Sequence, residues 1–214
     1  MGYIDQYCER LGPGLFAEPA NALTNAAFFI AAWALWRFAR RSNALSGDVV
    51  VLIALIVAIG TGSTLFHTFA TTWAHWLDIV PILLFQLAFI WVYTRRVIGL
   101  RSASTAMIVT VFLGVALYSR QFPYLFNGSL MYAPAFFATF ALGFYHWRHQ
   151  KLRRLTLLAA AGVLLVSIVF RTIDDAVCAR VPLGTHFLWH LLNAIVLYLC
   201  VLSLLPSGVK RATT

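Results

Sequence analysis

Charged residues are scarce in this chain: they make up 11% of its 214 residues, whereas 61% of the residues are hydrophobic. A soluble domain carries about a quarter charged residues, so too little polar surface is present here to cover a globule in water. The mean hydropathy of +0.82 agrees with this reading. These values exclude an ordinary soluble enzyme and predict an integral membrane protein.

Cysteine is also rare, and its spacing carries little information. Cys8, Cys178 and Cys200 lie far apart in the sequence. No two of them have the close spacing of a thiolate metal site, and three cysteines do not form the framework of a disulfide-rich fold. The sequence does not decide whether two of these cysteines form a single disulfide bridge.

Long apolar segments, in contrast, are abundant. A spanning helix needs roughly 20 mostly apolar residues, and seven segments joined by short connections meet that requirement. The first twenty residues lack the apolar core of a cleavable signal peptide, so we expect the first spanning helix to direct insertion. We predict an all-α fold, a single domain over residues 1–214 that forms a bundle of seven transmembrane helices after a short N-terminal segment, 1–19. The predicted spans are 20–40, 48–68, 75–95, 103–120, 124–146, 155–173 and 184–205.

The basic residues are distributed unevenly between the two ends of the predicted bundle. Because Lys and Arg accumulate on the cytoplasmic side, their positions predict an extracytoplasmic N-terminus and a cytoplasmic C-terminus. The net charge of +9 is then a topology signal; attraction to anionic lipids remains open, and no nucleic-acid partner is expected. The basic residues assigned to the cytoplasmic side are Arg37, Arg40, Arg41, Arg95, Arg96, Arg101, Arg148, Lys151, Arg153, Arg154, Lys210 and Arg211. Those on the other side are Arg10, Arg120, Arg171 and Arg180.

Several ionisable side chains and a serine lie at the extracytoplasmic ends of the predicted spans. His67 ends the second span, and Ser63 precedes it by about one helical turn. Asp78 lies near the start of the third span. His186 and His190 occupy the first turns of the seventh span, and their spacing of four puts both on one helical face. Because ionisable groups inside a span are costly and tend to mark function, these residues form a candidate site.

The residue types in this group are those of a zinc hydrolase. Three histidine ligands with one open coordination position are the ligand set of a catalytic zinc ion, which lowers the pKa of its water toward about 7. Asp78 would accept a proton from that water, and Ser63 would donate a hydrogen bond to an oxyanion. The alternative is that the serine and histidines only hydrogen-bond neighbouring helices. The positions of these residues alone do not decide between a zinc site and hydrogen bonds between helices.

Three further charged residues lie beside this face at the end of the sixth span. We expect Arg171 to form an ion pair with Asp174 or Asp175. A gating role at the site is the alternative for these residues.

At the candidate site the sequence resembles the alkaline ceramidases, within a wider group of seven-helix membrane hydrolases that includes the adiponectin and progestin receptors. Those proteins carry S-x-x-x-H on the second helix, an Asp near the start of the third and H-x-x-x-H on the seventh. The N-terminal stretch YCERLGPGLFAEPANALTN is also similar to ceramidases, so the resemblance covers essentially the whole chain. It implies hydrolysis of an N-acyl amide lipid to a fatty acid and an amine. It also implies zinc bound by His67, His186 and His190, with Asp78 as acid/base and Ser63 as oxyanion helper.

The same resemblance implies a calcium site in the N-terminal segment. Asp5, Glu9 and Glu18 match its acidic ligands and offer the oxygen atoms that calcium requires. This chain departs from the pattern, because Asp5 lies one residue further from Cys8 and Leu11 stands where an asparagine ligand is expected. The alternative is that these acids are solvated, or that they lie near a helix N-terminus, where negative charge is favourable.

Two functions follow from this reading. The first is a zinc-dependent intramembrane amidase acting on ceramide-like membrane lipids, whose acyl chain enters between helices. The second is a receptor or signalling protein of the adiponectin and progestin receptor type, with a structural or weakly hydrolytic zinc ion; the ceramidase-like N-terminal stretch argues against it. A retinal protein needs a lysine on its last helix, and Lys151 and Lys210 lie outside the predicted spans. We expect a bacterial inner-membrane location, an active site on the extracytoplasmic side and no obligate protein partner.

Overall fold

The structure is a computed structural model that describes residues 2–206. Lys210 and Arg211, assigned above to the cytoplasmic side, lie outside the described residues. Within that range the regular secondary structure is helical, apart from an isolated antiparallel bridge between Tyr3 and Thr71. A π-helical turn follows α4 at Thr94–Ile98, and a 3-10 helix precedes α6 at Ser129–Tyr132. The α-helices are α1 (Pro19–Thr24), α2 (Ala26–Arg41), α3 (Gly47–Phe69), α4 (Thr72–Tyr93), α5 (Ser102–Ser119), α6 (Ala133–Arg148), α7 (Thr156–Val177) and α8 (His186–Leu202).

Several helical segments are long and apolar enough to cross a membrane, which supports the prediction of an integral membrane protein. Asn25 alone separates α1 from α2, so these two form one span. Helices α6 and α8 are shorter than these spans, with 16 and 17 residues. The count of seven spans and the orientation of the termini therefore stay predictions. The five candidate spans are Pro19–Arg41, Gly47–Phe69, Thr72–Ile98, Ser102–Ser119 and Thr156–Val177.

The predicted fifth span, 124–146, begins too early. Phe126, Asn127 and Gly128 adopt positive φ angles of 54°, 50° and 72°, which an α-helix does not accommodate. A 3-10 helix then leads into α6, which begins at Ala133 with Pro134 in its first turn, a position that proline tolerates. Hydropathy alone does not reveal this loop, because its residues include several apolar side chains.

The apolar core lies mainly between α2, α3, α4, α7 and α8, where side chains such as Leu35 and Ile56 are fully buried. Helix α5 packs at the side in a smaller cluster with α4. Large apolar side chains such as Trp33, Met107 and Phe137 are more than 60% exposed. In water such a surface would be unfavourable, whereas in a bilayer it faces lipid.

Helices α3 and α4 approach each other most closely at the end that carries the candidate site. A Cβ atom added to Gly62 would overlap the carbonyl oxygen of Leu77 and lie 3.1 Å from the backbone nitrogen of Asp78. A small residue at a helix crossing allows the two backbones to meet. This crossing holds Asp78 beside the turn of α3 that contains Ser63.

We expect Gly62→Ala to destabilise the protein by about 1–3 kcal/mol or more, because overpacking forces the two backbones apart. The measurement is the thermal unfolding midpoint in detergent. Gly162→Ala in α7 is the control, since no atom lies within 4 Å of a Cβ added there. Alanine at that position is expected to leave the midpoint unchanged or raise it, because glycine is a poor helix former. A wild-type midpoint for Gly62→Ala would contradict the close crossing.

Candidate metal centre

His67 of α3 and His186 and His190 of α8 meet at one end of the bundle. Each offers one ring nitrogen, and the three nitrogens lie within 4.8 Å of one another. All three side chains are buried. The short helix α1 packs against both α3 and α8, so segments remote in the sequence come together around one point.

The environment of these imidazoles fits a metal ion. Nε2 of His67 and Nδ1 of His186 are buried and have no hydrogen-bond partner. Leaving a buried polar atom unsatisfied costs about 1–3 kcal/mol, and a bound cation removes that cost. Three imidazole nitrogens with an open fourth position are a donor set that suits zinc.

Glu18 forms a hydrogen bond with Nδ1 of His67, the ring nitrogen that does not face the other histidines. Nδ1 of His67 lies 2.5 Å from Oε2 of this carboxylate, which also pairs with Arg10 and accepts a hydrogen bond of 3.1 Å from Nδ2 of Asn21. Metal-ligating histidines are commonly oriented by a carboxylate in this way. The contact turns Nε2 of His67 toward the other two histidines.

Arg10 is buried, with 4% of its surface exposed, and it ties the N-terminal segment to α3. Besides its ion pair with Glu18, it donates hydrogen bonds to the carbonyl oxygens of Gly12 and Gly14 at 3.2 Å and of His67 at 2.8 Å. Burial by itself would raise the pKa of Glu18. The hydrogen bonds and charges of His67 and Arg10 outweigh burial and lower that pKa, so Glu18 is an ionised acceptor.

His190 is oriented by two hydroxyl groups. Its Nδ1 lies 3.0 Å from Oγ1 of Thr24 in α1. Because that hydroxyl donates to the carbonyl oxygen of Ala20 at 2.7 Å, its oxygen is free to accept a hydrogen bond from the Nδ1–H group of His190. Nε2 of His190 then lacks a proton and lies 3.5 Å from Oγ of Ser63.

Asp78 lies beside the histidines without belonging to their cluster. Over the range that the structure describes, the group of potential metal ligands around His67 contains histidines alone. Asp78 is half-buried, and its backbone nitrogen lies close to Gly62, the residue that precedes Ser63 in α3. Asp78 therefore lies near the histidines but outside their group of potential metal ligands.

Tyr7, which the sequence patterns did not single out, covers the cluster from the N-terminal segment. Its ring stacks on that of His186, with centroids 3.6 Å apart and planes at 19°, and lies 5.2 Å from the ring of His67. Burial raises the pKa of the Tyr7 hydroxyl, so the group stays protonated and is able to donate a hydrogen bond.

Asp174 fixes the start of α8. Its Oδ1 accepts the backbone N–H groups of Thr185 at 2.5 Å and His186 at 2.9 Å, and its Oδ2 accepts that of Cys8 at 3.1 Å. Cys8 also forms a disulfide with Cys178. The N-terminal segment, the end of α7 and the first turn of α8 are thereby joined at one point.

The predicted ion pair of Arg171 with Asp174 or Asp175 is wrong. No such contact occurs among the ion pairs of residues 2–206, because the carboxylate of Asp174 is occupied by backbone N–H groups. Nη1 of Arg171 instead donates hydrogen bonds to the carbonyl oxygen of Asn127 at 2.7 Å and to Oγ of Ser129 at 3.0 Å.

The acids predicted to bind calcium do not converge. Asp5 is exposed, and Glu18 is engaged with His67 and Arg10 as described. The carboxylate of Glu9 accepts the N–H groups of Ala20 at 2.6 Å and Asn21 at 2.8 Å at the start of α1. These three acids form no common cluster of potential ligands in the part of the chain described. These contacts lend no support to the calcium site that the resemblance implies, and that site stays a prediction.

A protein-family model described as Ceramidase matches residues 7–211, nearly the whole chain and all of the histidine cluster. The chain belongs to the Ceramidase family. Membership confirms the resemblance drawn from the sequence and implies a lipid amide hydrolase. None of the curated proteins compared with the chain matches it.

We expect Glu18→Gln to weaken zinc binding about 10- to 100-fold, the usual effect of removing a carboxylate that orients a histidine ligand. Competition with a chelator, followed by metal analysis, measures this. Asp48→Asn is the control, because this acid pairs with Arg96 at the opposite end of α3. Since Glu18→Gln also leaves Arg10 without its partner, the unfolding midpoint is recorded, and Glu18→Asp provides a charge-preserving variant. Wild-type zinc affinity in a folded Glu18→Gln protein would contradict this role.

Proposed function

We propose that the chain is a zinc-dependent amidase of the membrane that hydrolyses the N-acyl amide bond of ceramide-like lipids to a fatty acid and an amine. One observation carries the proposal: three buried histidines converge on one point, and two of their ring nitrogens lack partners. His67, His186 and His190 would hold the ion. When bound, zinc supplies Lewis acidity and lowers the pKa of a water molecule.

Asp78 is the residue to which we assign proton transfer. Amide hydrolysis requires a base that takes a proton from the attacking water and an acid that protonates the leaving nitrogen. Asp78 lies at the close crossing of α3 and α4, beside the turn that contains Ser63, and outside the group of potential metal ligands. It therefore takes up the proton and returns it to the nitrogen.

Ser63 has the position of a hydrogen-bond donor to the substrate. Its hydroxyl lies 3.5 Å from Nε2 of His190, a loose contact that leaves the proton available. Donation to the amide carbonyl oxygen stabilises the negative charge that develops there in the transition state.

An apolar cavity supports a lipid as the substrate. It begins at Tyr132 and Trp189, beside the histidine cluster, and extends along α8 to Cys200. Phe85 and Leu164 are among the apolar side chains that line it. Such a cavity suits an acyl chain, because burying hydrocarbon is favourable and polar contacts are needed only at the reacting end.

We further propose a single bundle over residues 1–214 that crosses the membrane seven times, with the N-terminus and the candidate site on the extracytoplasmic side of a bacterial inner membrane. The distribution of basic residues supports this orientation. Arg41 ends α2 and Arg148 ends α6, whereas the histidine cluster lies at the end of α3 and the start of α8.

Metal analysis combined with cleavage of a fluorescent ceramide analogue tests the function. We expect the wild type to contain zinc and to release fatty acid, and we expect His190→Ala to lose both. His149→Ala is the control, since this exposed histidine follows α6 away from the cluster. Wild-type protein without metal would contradict the proposal. Zinc without cleavage of any lipid amide would favour the receptor function instead.

We expect Asp78→Asn to retain zinc and to reduce the turnover number by about 10²- to 10⁴-fold, the usual contribution of general acid–base catalysis. The amide isostere preserves the size of the side chain while it removes the proton acceptor. Zinc content and turnover are measured on the same preparation, with Asp48→Asn as the control. Full activity of Asp78→Asn would remove this residue from the mechanism.

A further inference from the structure

The guanidinium of Arg10 is surrounded by oxygen atoms beside the candidate metal centre. Its Nε pairs with the carboxylate of Glu18, and its Nη1 donates to the carbonyl oxygens of Gly12 and Gly14. Its Nη2 donates to the carbonyl oxygen of His67 at 2.8 Å. Four of the five N–H groups of the guanidinium therefore have oxygen partners. We call these four oxygen atoms the oxygen cage.

The oxygen cage has the composition of a calcium site. Calcium takes carboxylate and backbone carbonyl oxygens as ligands, and the cage consists of one carboxylate oxygen and three carbonyl oxygens. The resemblance to ceramidases implies that Glu18 is a calcium ligand, whereas in this chain the same carboxylate pairs with Arg10. Because like charges repel strongly where water is excluded, a calcium ion would have to displace the guanidinium in order to enter the cage.

The other two acids that the resemblance assigns to calcium are directed elsewhere. The carboxylate of Glu9 accepts the N–H groups of Ala20 and Asn21 at the start of α1, and Asp5 is exposed. Neither contributes an oxygen atom to the cage. A calcium ion in the cage would therefore meet a single carboxylate, whose charge Arg10 already balances.

The contacts of Arg10 also perform the structural task of a bound cation. Glu18 directly precedes α1, Gly12 belongs to the N-terminal segment, and His67 lies in the last turn of α3. The ring of Tyr3 faces the guanidinium at 5.8 Å, and only 4% of the surface of Arg10 is exposed. One buried positive charge thus joins three segments next to a zinc-ligand candidate.

We propose that Arg10 is an internal cation that takes the structural place of calcium, so that this chain folds and binds zinc without calcium. This inference does not rest on the proposed amidase function, since it concerns the N-terminal segment and its stability. It opposes the calcium site that the resemblance implies, and the occupied oxygen cage gives the physical reason.

The first test uses the wild-type protein in detergent. Calcium is removed by dialysis against calcium-free buffer, because a chelator would also remove zinc, and CaCl2 is then titrated back. We expect metal analysis to find no calcium, the titration to show no binding, and the thermal unfolding midpoint and the zinc content to stay unchanged. Calcium retained after dialysis, or a midpoint that rises with CaCl2, would overturn the proposal.

The second test replaces the internal cation. We expect Arg10→Gln to lower the unfolding midpoint by about 10 °C in calcium-free buffer, because removing one partner of a buried ion pair is strongly destabilising. We expect CaCl2 to restore part of this loss, since the oxygen cage is then free of positive charge and the amide adds a further oxygen ligand. Arg180→Gln is the control, because this arginine is exposed.

Arg10→Lys separates the charge from the shape of the side chain. It is expected to lower the midpoint less than Arg10→Gln, because the ammonium keeps the charge but has three donors for four oxygen atoms. It is also expected to stay insensitive to CaCl2, since its charge repels calcium. A midpoint of Arg10→Lys that rises with CaCl2 would contradict the proposal.

Two further results would reject the internal cation. A wild-type midpoint for Arg10→Gln would remove its structural role, and a loss of stability that CaCl2 does not reverse would show that the oxygen cage is no calcium site. If Arg10→Gln does not fold, the wild-type titration and Arg10→Lys decide the question. Lipid cleavage enters none of these measurements, so the internal cation and the amidase are tested separately.

Discussion

The carboxylate of Glu18 is shared between Arg10 and His67, and the geometry of the site depends on this contact. An apolar bundle offers few partners for a buried ion, so an arginine withdrawn from water requires an acid at close range. The same acid accepts a hydrogen bond from the Nδ1–H group of His67 and turns Nε2 toward the other histidines. Because α1 begins at Pro19, directly after this acid, one carboxylate joins the N-terminal segment, the end of α3 and the metal centre.

The two sides of the histidine cluster differ in polarity, and the N-terminal segment forms part of the polar side. On one side of the histidines, Trp189 lines an apolar cavity that suits an acyl chain. On the other side, Tyr7 separates the histidines from a polar cavity. Of the four arginines that the topology signal left on the extracytoplasmic side, Arg10 is buried at the metal centre, and Arg120 and Arg171 line the polar cavity.

Sequence patterns were sufficient for the residues that helices present at regular spacing. His186 and His190 share a helical face, and the predicted topology put His67 at the same end of the bundle. Sequence patterns did not predict the hydrogen-bond and ion-pair partners of residues whose contacts depend on the conformation of a loop. Arg171 was assigned to an ion pair that does not form, and no pattern predicted that Glu18 contacts His67 and Arg10. The site residues that no pattern indicated are Tyr7, Arg10 and Thr24.

Hydropathy and helical periodicity depend on neighbours within a few turns. The sequence alone is therefore enough to predict an integral membrane protein, the approximate positions of its helices and the end of the bundle at which the polar residues gather. Ångström-scale distances between remote segments decide which ring nitrogens have no hydrogen-bond partner and which acid pairs with Arg10. Packing sets those distances, through the backbone contact at Gly62 and the fold of the N-terminal segment over α3 and α8. Only the assembled bundle decides them, because a hydrogen bond or an ion pair is lost when its partners move apart by about an ångström.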